Sequence, residues 1–367
     1  MITISLCMIV KNEEAVLERL LRTMSTVADQ IVIMDTGSTD RTKEIAARYT
    51  DEVYDFPWTD DFAAARNAVC QKAVSDYWMW MDADDVMEPE QAARLKKLKE
   101  TLDPSVDVVM MKYLTGFDEN GRTSFSYYRE RILKNHKGFQ WQGRVHEAVP
   151  PAGNILYTDI EIQHRKEGAG DKDRNLRIYE TMLSQGEPLE PRHQFYYARE
   201  LYYHERYEDA VRVFRAFLQE PDGWVENKID ACLHLALCEE HLGHTEKAVE
   251  ALLKSFLYDS PRGEACCELG RMKMNEEKYR EAAYWYTQAL SSRPAEQTGA
   301  FVRKDCYGFL PSIQLCVCYD RLGDHRRAWH YHLKSQKLKP EHPSVRQNQT
   351  YFEHKLKHPA EGQPSAL

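Results

Sequence analysis

The stretch Trp80-Met81-Asp82-Ala83-Asp84-Asp85 sets three carboxylates within four positions, directly after the apolar run Tyr77–Met81. A buried strand that delivers clustered carboxylates at its C-terminal edge suits a hard divalent cation lying beside a phosphate. Oxygen donors match such ions, and ligands of open α/β sheets gather beyond the strand ends. Asp82 and Asp84, at i and i+2, converge on one spot if the chain kinks between them. An acidic turn that merely ends a strand spells the same letters, so the setting of the motif decides.

That setting is an alternation of strands and helices. Apolar runs at Ile2–Val10, Gln30–Asp35, Glu52–Phe56, Trp78–Met81 and Asp107–Tyr113 read as strands. Between them, helical spacing at Glu13–Met24, Thr39–Tyr49, Phe62–Ala73 and Pro89–Thr101 reads as helices. The pattern predicts a mostly parallel sheet covered by helices. Three strand ends are polar: Lys11-Asn12-Glu13-Glu14, Asp35-Thr36-Gly37-Ser38-Thr39-Asp40 and Asp82-Ala83-Asp84-Asp85. Polar residues at three ends of one sheet predict a shared site. From Tyr113 to Arg165 the pattern is less regular, with aromatics and Arg mixed over Ser124–Ile132, then Val145-His146-Glu147 and a strand at Asp159–His164. Gly168-Ala169-Gly170 marks a flexible turn before Lys172.

After about Gly186 the chain reads as helix throughout. A motif recurs at Tyr207-Glu208-Asp209-Ala210, His244-Thr245-Glu246-Lys247-Ala248, Tyr279-Arg280-Glu281-Ala282 and His325-Arg326-Arg327-Ala328. Spacings of about 34 to 46 residues between these alanines fit helix-turn-helix repeats with insertions. This half resembles tetratricopeptide repeats. The expected division is an α/β domain over 1–186, helical repeats over 187–357 and a disordered tail over 358–367. The tyrosine-rich first repeat suits a packing face or a binding face.

The blocks Ser5-Leu6-Cys7-Met8-Ile9-Val10-Lys11-Asn12-Glu13, Asp35-Thr36-Gly37-Ser38-Thr39-Asp40, Phe62-Ala63-Ala64-Ala65-Arg66-Asn67 and Asp82-Ala83-Asp84, in that order and spacing, resemble a family-2 glycosyltransferase of the GT-A fold. The resemblance covers the chain to about residue 115. It implies transfer of a sugar from a nucleotide donor, usually UDP-linked, with inversion at the anomeric carbon. It assigns Val10, Asn12, Glu13, Asp35, Arg66 and Asp82 to the nucleotide-sugar. Asp35 would accept from the uracil imide, and alternatively would cap the following helix, a role that suits Asp40 better. Arg66 would hold the nucleotide or its diphosphate. Asp84, with Asp82, would bind Mn²⁺ or Mg²⁺ at this DXD motif, and His164 is a candidate third ligand. Lys172 would close over the diphosphate, or simply begin a solvated helix.

Inversion needs a base behind the anomeric carbon. In place of the acidic pair of many relatives this chain offers Val145-His146-Glu147, a run similar to that of related enzymes with tandem-repeat tails. Glu147 is the first candidate, with His146 as the alternative base or a structural partner. Trp141 and Phe139 would shape the acceptor pocket or pack in the core.

Composition sets the remaining bounds. The 367 residues suffice for about two domains, with 43% hydrophobic and 29% charged residues typical of a globular chain. The net charge of -9 argues against a nucleic-acid surface. No segment reaches the apolar length that crosses a bilayer. Ile2–Val10 lacks a preceding basic flank and reads as a buried strand, not a signal peptide. Nine cysteines without a Cys-X-X-Cys pair, several set among Leu, Ala and Val, suggest buried thiols in a reducing cytoplasm. The expected acceptor is a peptide or protein held with help from the repeats, as in the glycocin-type enzymes whose layout is similar. A cell-surface glycan is the alternative acceptor, and the repeats are a candidate homodimer contact. A non-catalytic repeat scaffold with a relic first domain is disfavoured by the intact Asp35, Arg66, Asp82 and Asp84. A nucleotidyltransferase is disfavoured by the lack of Gly in Val10-Lys11-Asn12-Glu13-Glu14.

Overall fold

The computed structural model describes residues 1–117, 121, 123–167, 171–295 and 298–357. The expected Gly168–Gly170 turn and the tail over 358–367 lie outside the described residues. One compact unit covers Met1–Glu200 together with the short stretch ending at Gly299, and a second holds the rest of the mainly helical chain from Leu201 on.

In chain order the first unit contains β1 (Ile4–Val10), α1 (Leu17–Met24), β2 (Gln30–Asp35), α2 (Thr42–Ala46), β3 (Val53–Asp55) and α3 (Phe62–Cys70). These are followed by β4 (Tyr77–Trp80), β5 (Asp85–Val86), α4 (Pro89–Thr101), β6 (Val108–Phe117), β7 (Thr123–Lys134), β8 (Ile155–His164), α5 (Arg174–Ser184) and α6 (Pro191–Tyr203). The strand order is β3-β2-β1-β4-β7-β6-β8-β5. The pairs β1–β2, β1–β4, β2–β3 and β6–β8 are parallel. Those of β7 with β4 and β6, and of β5 with β8, are antiparallel.

Two-residue periodicity explains why the central strands are apolar throughout. On β1, Ile4, Leu6, Met8 and Val10 join Leu17, Leu20 and Leu21 of α1 and Leu95 of α4 in one core layer. Cys7 faces the other way, with Val32, Trp78, Trp80, Ala63 and Val69 of α3. Both faces are covered, so alternation gives way to a continuous apolar run.

Two local departures from the expected pattern have visible causes. The helix expected over Thr39–Tyr49 is only Thr42–Ala46. Asn12 Oδ1 accepts from the Thr39 amide at 2.8 Å, and Asp40 Oδ1 accepts from the Thr42 amide at 3.0 Å, which delays helix entry. The irregular region over Ser124–Ile132 is a long strand, β7, inserted antiparallel between β4 and β6. Its buried Glu130 and Arg131 hide the apolar pattern a strand reading looks for.

The second unit continues from α6 with α7 (Tyr207–Phe217), α8 (Val225–His241), α9 (Thr245–Lys254), α10 (Gly263–Asn275), α11 (Tyr279–Ser291), α12 (Phe309–Arg321), α13 (His325–Leu338) and α14 (Pro343–Lys357). Helices α8 and α9, α10 and α11, and α12 and α13 pack as successive pairs. The recurring alanines, Ala210, Ala248, Ala282 and Ala328, are all buried, where a small residue lets helix axes approach. Before each lies the same turn. The amides of Arg206, His244, Lys278 and Asp324 reach back to the carbonyls of Leu201, Glu239, Lys273 and Tyr319. The residues just ahead of those amides, Glu205, Gly243, Glu277 and Gly323, are left-handed, the mark of a Schellman helix end. Cys232, Cys238, Cys316 and Cys318 are buried and unbridged, as expected of small core residues. No helix among the described residues is long and apolar enough to cross a membrane.

Candidate active site

The three polar strand ends lie at the C-terminal edge of neighbouring parallel strands, because β1 runs between β2 and β4. The first two ends are tied together. The Asn12 amide donates to Ser38 Oγ at 2.9 Å, the Glu13 amide to Thr42 Oγ1 at 2.7 Å, and the Thr36 amide to the Val10 carbonyl at 2.9 Å. Asn12 takes a left-handed backbone (φ 56°) to make this latch. Val10 is buried, and Asn12 is a loop brace.

Asp35 is buried at the end of β2. Its Oδ1 accepts from the amides of Gly37 and Ser38, each at 2.9 Å, while its Oδ2 is buried without a partner. Asp35 does not cap the following helix, because α2 starts only at Thr42; one oxygen closes the turn after β2 and the other is buried and unbonded. A buried acceptor left unpaired costs about 1–3 kcal/mol, so an incoming donor would recover that amount.

Asp85 explains how the acidic turn is built. Its amide donates to the Asp82 carbonyl at 3.0 Å, and its Oδ2 accepts from the Asp82 amide at 3.0 Å. Oδ2 also takes Arg131 Nη1 at 2.9 Å, and Oδ1 takes the Tyr113 hydroxyl at 2.9 Å. Arg131 is fully buried, 3.7 Å from the Trp80 ring centroid and 4.2 Å from that of Tyr113. Asp85 is therefore spent on holding the turn. Pairing of β5 with β8 sets Asp85 opposite His164, which carries the His164 Nδ1 to 3.2 Å from Asp84 Oδ1 and 3.0 Å from the Tyr113 hydroxyl.

Ligand atoms of Asp84, Asp85 and His164 lie within 4.8 Å of one another. With Asp85 engaged by Arg131, the donors left for a hard divalent ion are Asp84 and His164, with Asp82 two residues from Asp84. Carboxylate oxygen fits Mn²⁺ or Mg²⁺, and the His164 nitrogen could join a Mn²⁺ ion only after losing its proton. Burial opposes the charge on His164, but hydrogen bonds to Asp84 and Asp85 overcome it and push its pKa up to about 10. Glu13 lies nearby; burial and the charges of Asp84, Asp82 and Asp40 push its carboxyl up to about 7.

Arg66, on α3, is nearly buried between two indoles, 5.1 Å from the Trp80 centroid and 4.8 Å from that of Trp141. Its Nη2 donates to Asp82 Oδ1 and its Nε to Glu147 Oε1, both at 2.6 Å. The guanidinium does not stand open for a diphosphate; it joins two carboxylates. Burial raises the Asp82 carboxyl, but the charges of Arg66 and Arg131 outweigh it and bring it down to about 2.

The remaining candidates separate. Glu147 belongs to the cluster through Arg66. His146 turns toward α6, bonding Glu200 Oε1 through Nε2 at 2.9 Å and stacking on Tyr196 at 4.2 Å; it takes the structural alternative. Trp141 is 3% exposed, wedged beside Trp78 and Trp80 and bound through its backbone to Asn67. This corrects the acceptor-pocket expectation, since a core indole that supports Arg66 offers no surface to an acceptor. Lys172 is exposed in the turn before α5 and makes no ion pair among the described residues. Sequence reasoning missed Arg131, Tyr113 and the role of Asp85. A signal existed: three clustered carboxylates at a buried strand end require a buried counter-charge.

A mostly parallel sheet with helices on both faces and an acidic turn at its C-terminal edge places the candidate site where open α/β domains bind ligands. Residues 5–155 match the family model described as Glycosyl transferase family 2. The chain is 27% identical over 228 residues to the SPbeta prophage-derived glycosyltransferase SunS of Bacillus subtilis (strain 168), covering 57% of this chain and 51% of that protein. It is 32% identical over 149 residues to the TPR repeat-containing protein Synpcc7942_0270 of Synechococcus elongatus, covering 41% and 36%. It is 26% identical over 152 residues to the lipopolysaccharide core biosynthesis glycosyltransferase LpsC of Rhizobium meliloti, covering 39% and 56%. The chain thus spans between about a third and somewhat over half of these relatives' lengths.

Proposed function

We propose that this chain is an inverting glycosyltransferase that moves a sugar from a nucleotide-sugar, with UDP as the nucleotide, to an acceptor hydroxyl or thiol. The observation that carries this reading is the Asp82–Arg66–Glu147 bridge beside the Asp84–His164 pair, at the strand ends of the domain that matches the family-2 model.

In this reading the orphaned Oδ2 of Asp35 accepts the uracil N–H, and Asp82 lies toward the ribose. Asp84 and His164, with Asp82, would hold the divalent cation, which when bound supplies Lewis-acid stabilisation of the leaving diphosphate. Glu147 takes the acceptor proton as the acceptor atom bonds to the anomeric carbon and the bond to the diphosphate breaks on the opposite face. Arg66 keeps Glu147 and Asp82 at fixed separation, so donor and base sides are in register before substrates arrive. The acceptor is a peptide or protein engaged with help from the helical repeats, with a cell-surface glycan as the alternative that the LpsC likeness keeps in view. The proposed location is the cytoplasm, a reducing compartment that suits nine free cysteines, and the repeats are the candidate surface for a homodimer.

Titration calorimetry with UDP, with and without Mn²⁺, on the wild type and Asp84→Ala tests the donor site. Mn²⁺-dependent binding that the variant loses supports the reading. Failure of UDP, GDP and dTDP alike to bind the wild type overturns it.

A further inference from the structure

The loop that carries Glu147 is short and closed. Gln142 and Ala148 exchange backbone hydrogen bonds at 2.9 and 3.1 Å, so 143–147 form a tip held at its base. Within that tip His146 is left-handed (φ 52°), a conformation costing about 1 kcal/mol for a residue with a β-carbon. Strain of this kind persists only where surrounding contacts impose it.

The contacts come from the segment α5–α6. Val145 is buried among Ile178, Tyr179 and Met182 of α5, with Leu189, Tyr196 and Tyr197 against it. Arg144 Nη2 bonds Glu187 Oε1 at 2.5 Å, and Arg192 Nε donates to the His146 carbonyl at 3.1 Å. Gly143 (φ 96°) lies so close to His193 that a β-carbon there would sit 2.3 Å from Nε2. The His146 ring lies flat on Tyr196, with planes 10° apart, and bonds the buried Glu200, which also accepts from Asn175 Nδ2 at 3.0 Å. Every residue of 143–146 is gripped, and the next residue is Glu147, bonded to Arg66.

We propose that Glu200 and Tyr196, acting through His146, are positioning residues for Glu147, so that α6 is a component of the transferase site. The proposal rests on the reading of Glu147 as the base. Left-handed His146 reverses the chain direction at the one point that sends residue 146 into α6 and residue 147 toward Arg66. Glu200 and Tyr196 fix the ring, and the ring fixes the dihedral. Freed of them, His146 relaxes to right-handed or extended backbone, and Glu147 swings out of line with Arg66.

The test uses the full chain with UDP-glucose and UDP-N-acetylglucosamine as donors and reads UDP release, alongside hydrogen exchange of the 143–149 segment. Glu200→Ala is expected to lower kcat by up to about 100-fold, the cost of misplacing a reacting group by an ångström. Donor KM should stay within about twofold, because Asp35 and Asp84 are untouched, and 143–149 should exchange faster. Glu200→Gln, which can still accept from His146 Nε2–H, should recover most of kcat and protection. Tyr196→Leu should resemble Glu200→Ala in milder form. Wild-type kcat and unchanged exchange in Glu200→Ala overturn the clamp. Absence of UDP release by the wild type with both donors sinks the base assignment instead, while exchange still reads whether α6 holds the loop.

Discussion

Arg66 Nε meets Glu147 Oε1 at 2.6 Å across 81 positions of chain, while its Nη2 meets Asp82 Oδ1 at the same distance. One planar guanidinium, stacked between Trp80 and Trp141, thereby sets the spacing of two carboxylates. Lysine has a single point charge and no plane to stack, so it cannot reproduce this geometry. Arg66→Lys is expected to reduce turnover by on the order of 100-fold. Arg66→Ala leaves two half-enclosed carboxylates uncompensated and should destabilise the fold by about 3–5 kcal/mol in urea unfolding. Near-wild-type stability and turnover in both variants would remove the bridge from the account.

Asp84 and Asp85 are neighbours in sequence with opposite fates. Asp85→Asn removes the counter-charge of fully buried Arg131, so a loss of about 3–5 kcal/mol is expected. Asp84, mostly enclosed beside His164, should cost less stability than Asp85 on replacement by Asn and yet lose Mn²⁺ uptake. Denaturation midpoints paired with Mn²⁺ titration by electron paramagnetic resonance read both. An Asp85→Asn protein as stable as the wild type would contradict its placement.

Much of this was legible beforehand, for identifiable reasons. Strands β1, β2 and β4 announce themselves because covered faces demand continuous apolar runs, and Asp35, Asp82 and Asp84 stand where those runs stop. What stayed hidden is what depends on partners distant in sequence. Arg131 reads as a surface charge on an irregular stretch until Asp85 and Trp80 are seen against it. Arg66 looks free to grasp a ligand until Glu147 arrives 81 positions later. Helix α6 carries repeat-like tyrosines, yet the compact first unit runs on to Glu200, and His146 is where that shows.

The four repeat turns offer a clean stability test. Gly243 and Gly323 supply the left-handed residue at no steric cost, whereas Glu205 and Glu277 adopt φ 58° with a side chain in place. Glu205→Gly and Glu277→Gly are each expected to stabilise by up to about 1 kcal/mol, and Gly243→Ala to destabilise by a similar amount. Thermal unfolding of the three variants checks this. Destabilisation by both glutamate replacements would mean that the carboxylate contributes more than the strain costs.

His146 also predicts how the protein responds to acid. Burial lowers its pKa below the ordinary 6.5; the hydrogen bond and charge of Glu200 and the charge of Glu147 pull the other way, and Arg199 adds to the lowering. The folded protein thus binds a proton at His146 less readily than the unfolded chain. Its contribution to stability is full above about pH 6.5 and is lost as pH falls from there through the depressed folded value. Urea unfolding across pH 7.5 to 5 should show the wild type weakening, and His146→Gln, which cannot titrate, should show a shallower slope. Because other groups titrate in the same range, the difference between the two slopes is the quantity to compare. Equal slopes would mean that His146 titrates alike in the folded and unfolded chains. A steeper slope in the variant would reverse the sign and place the imidazolium, not the neutral ring, against Tyr196.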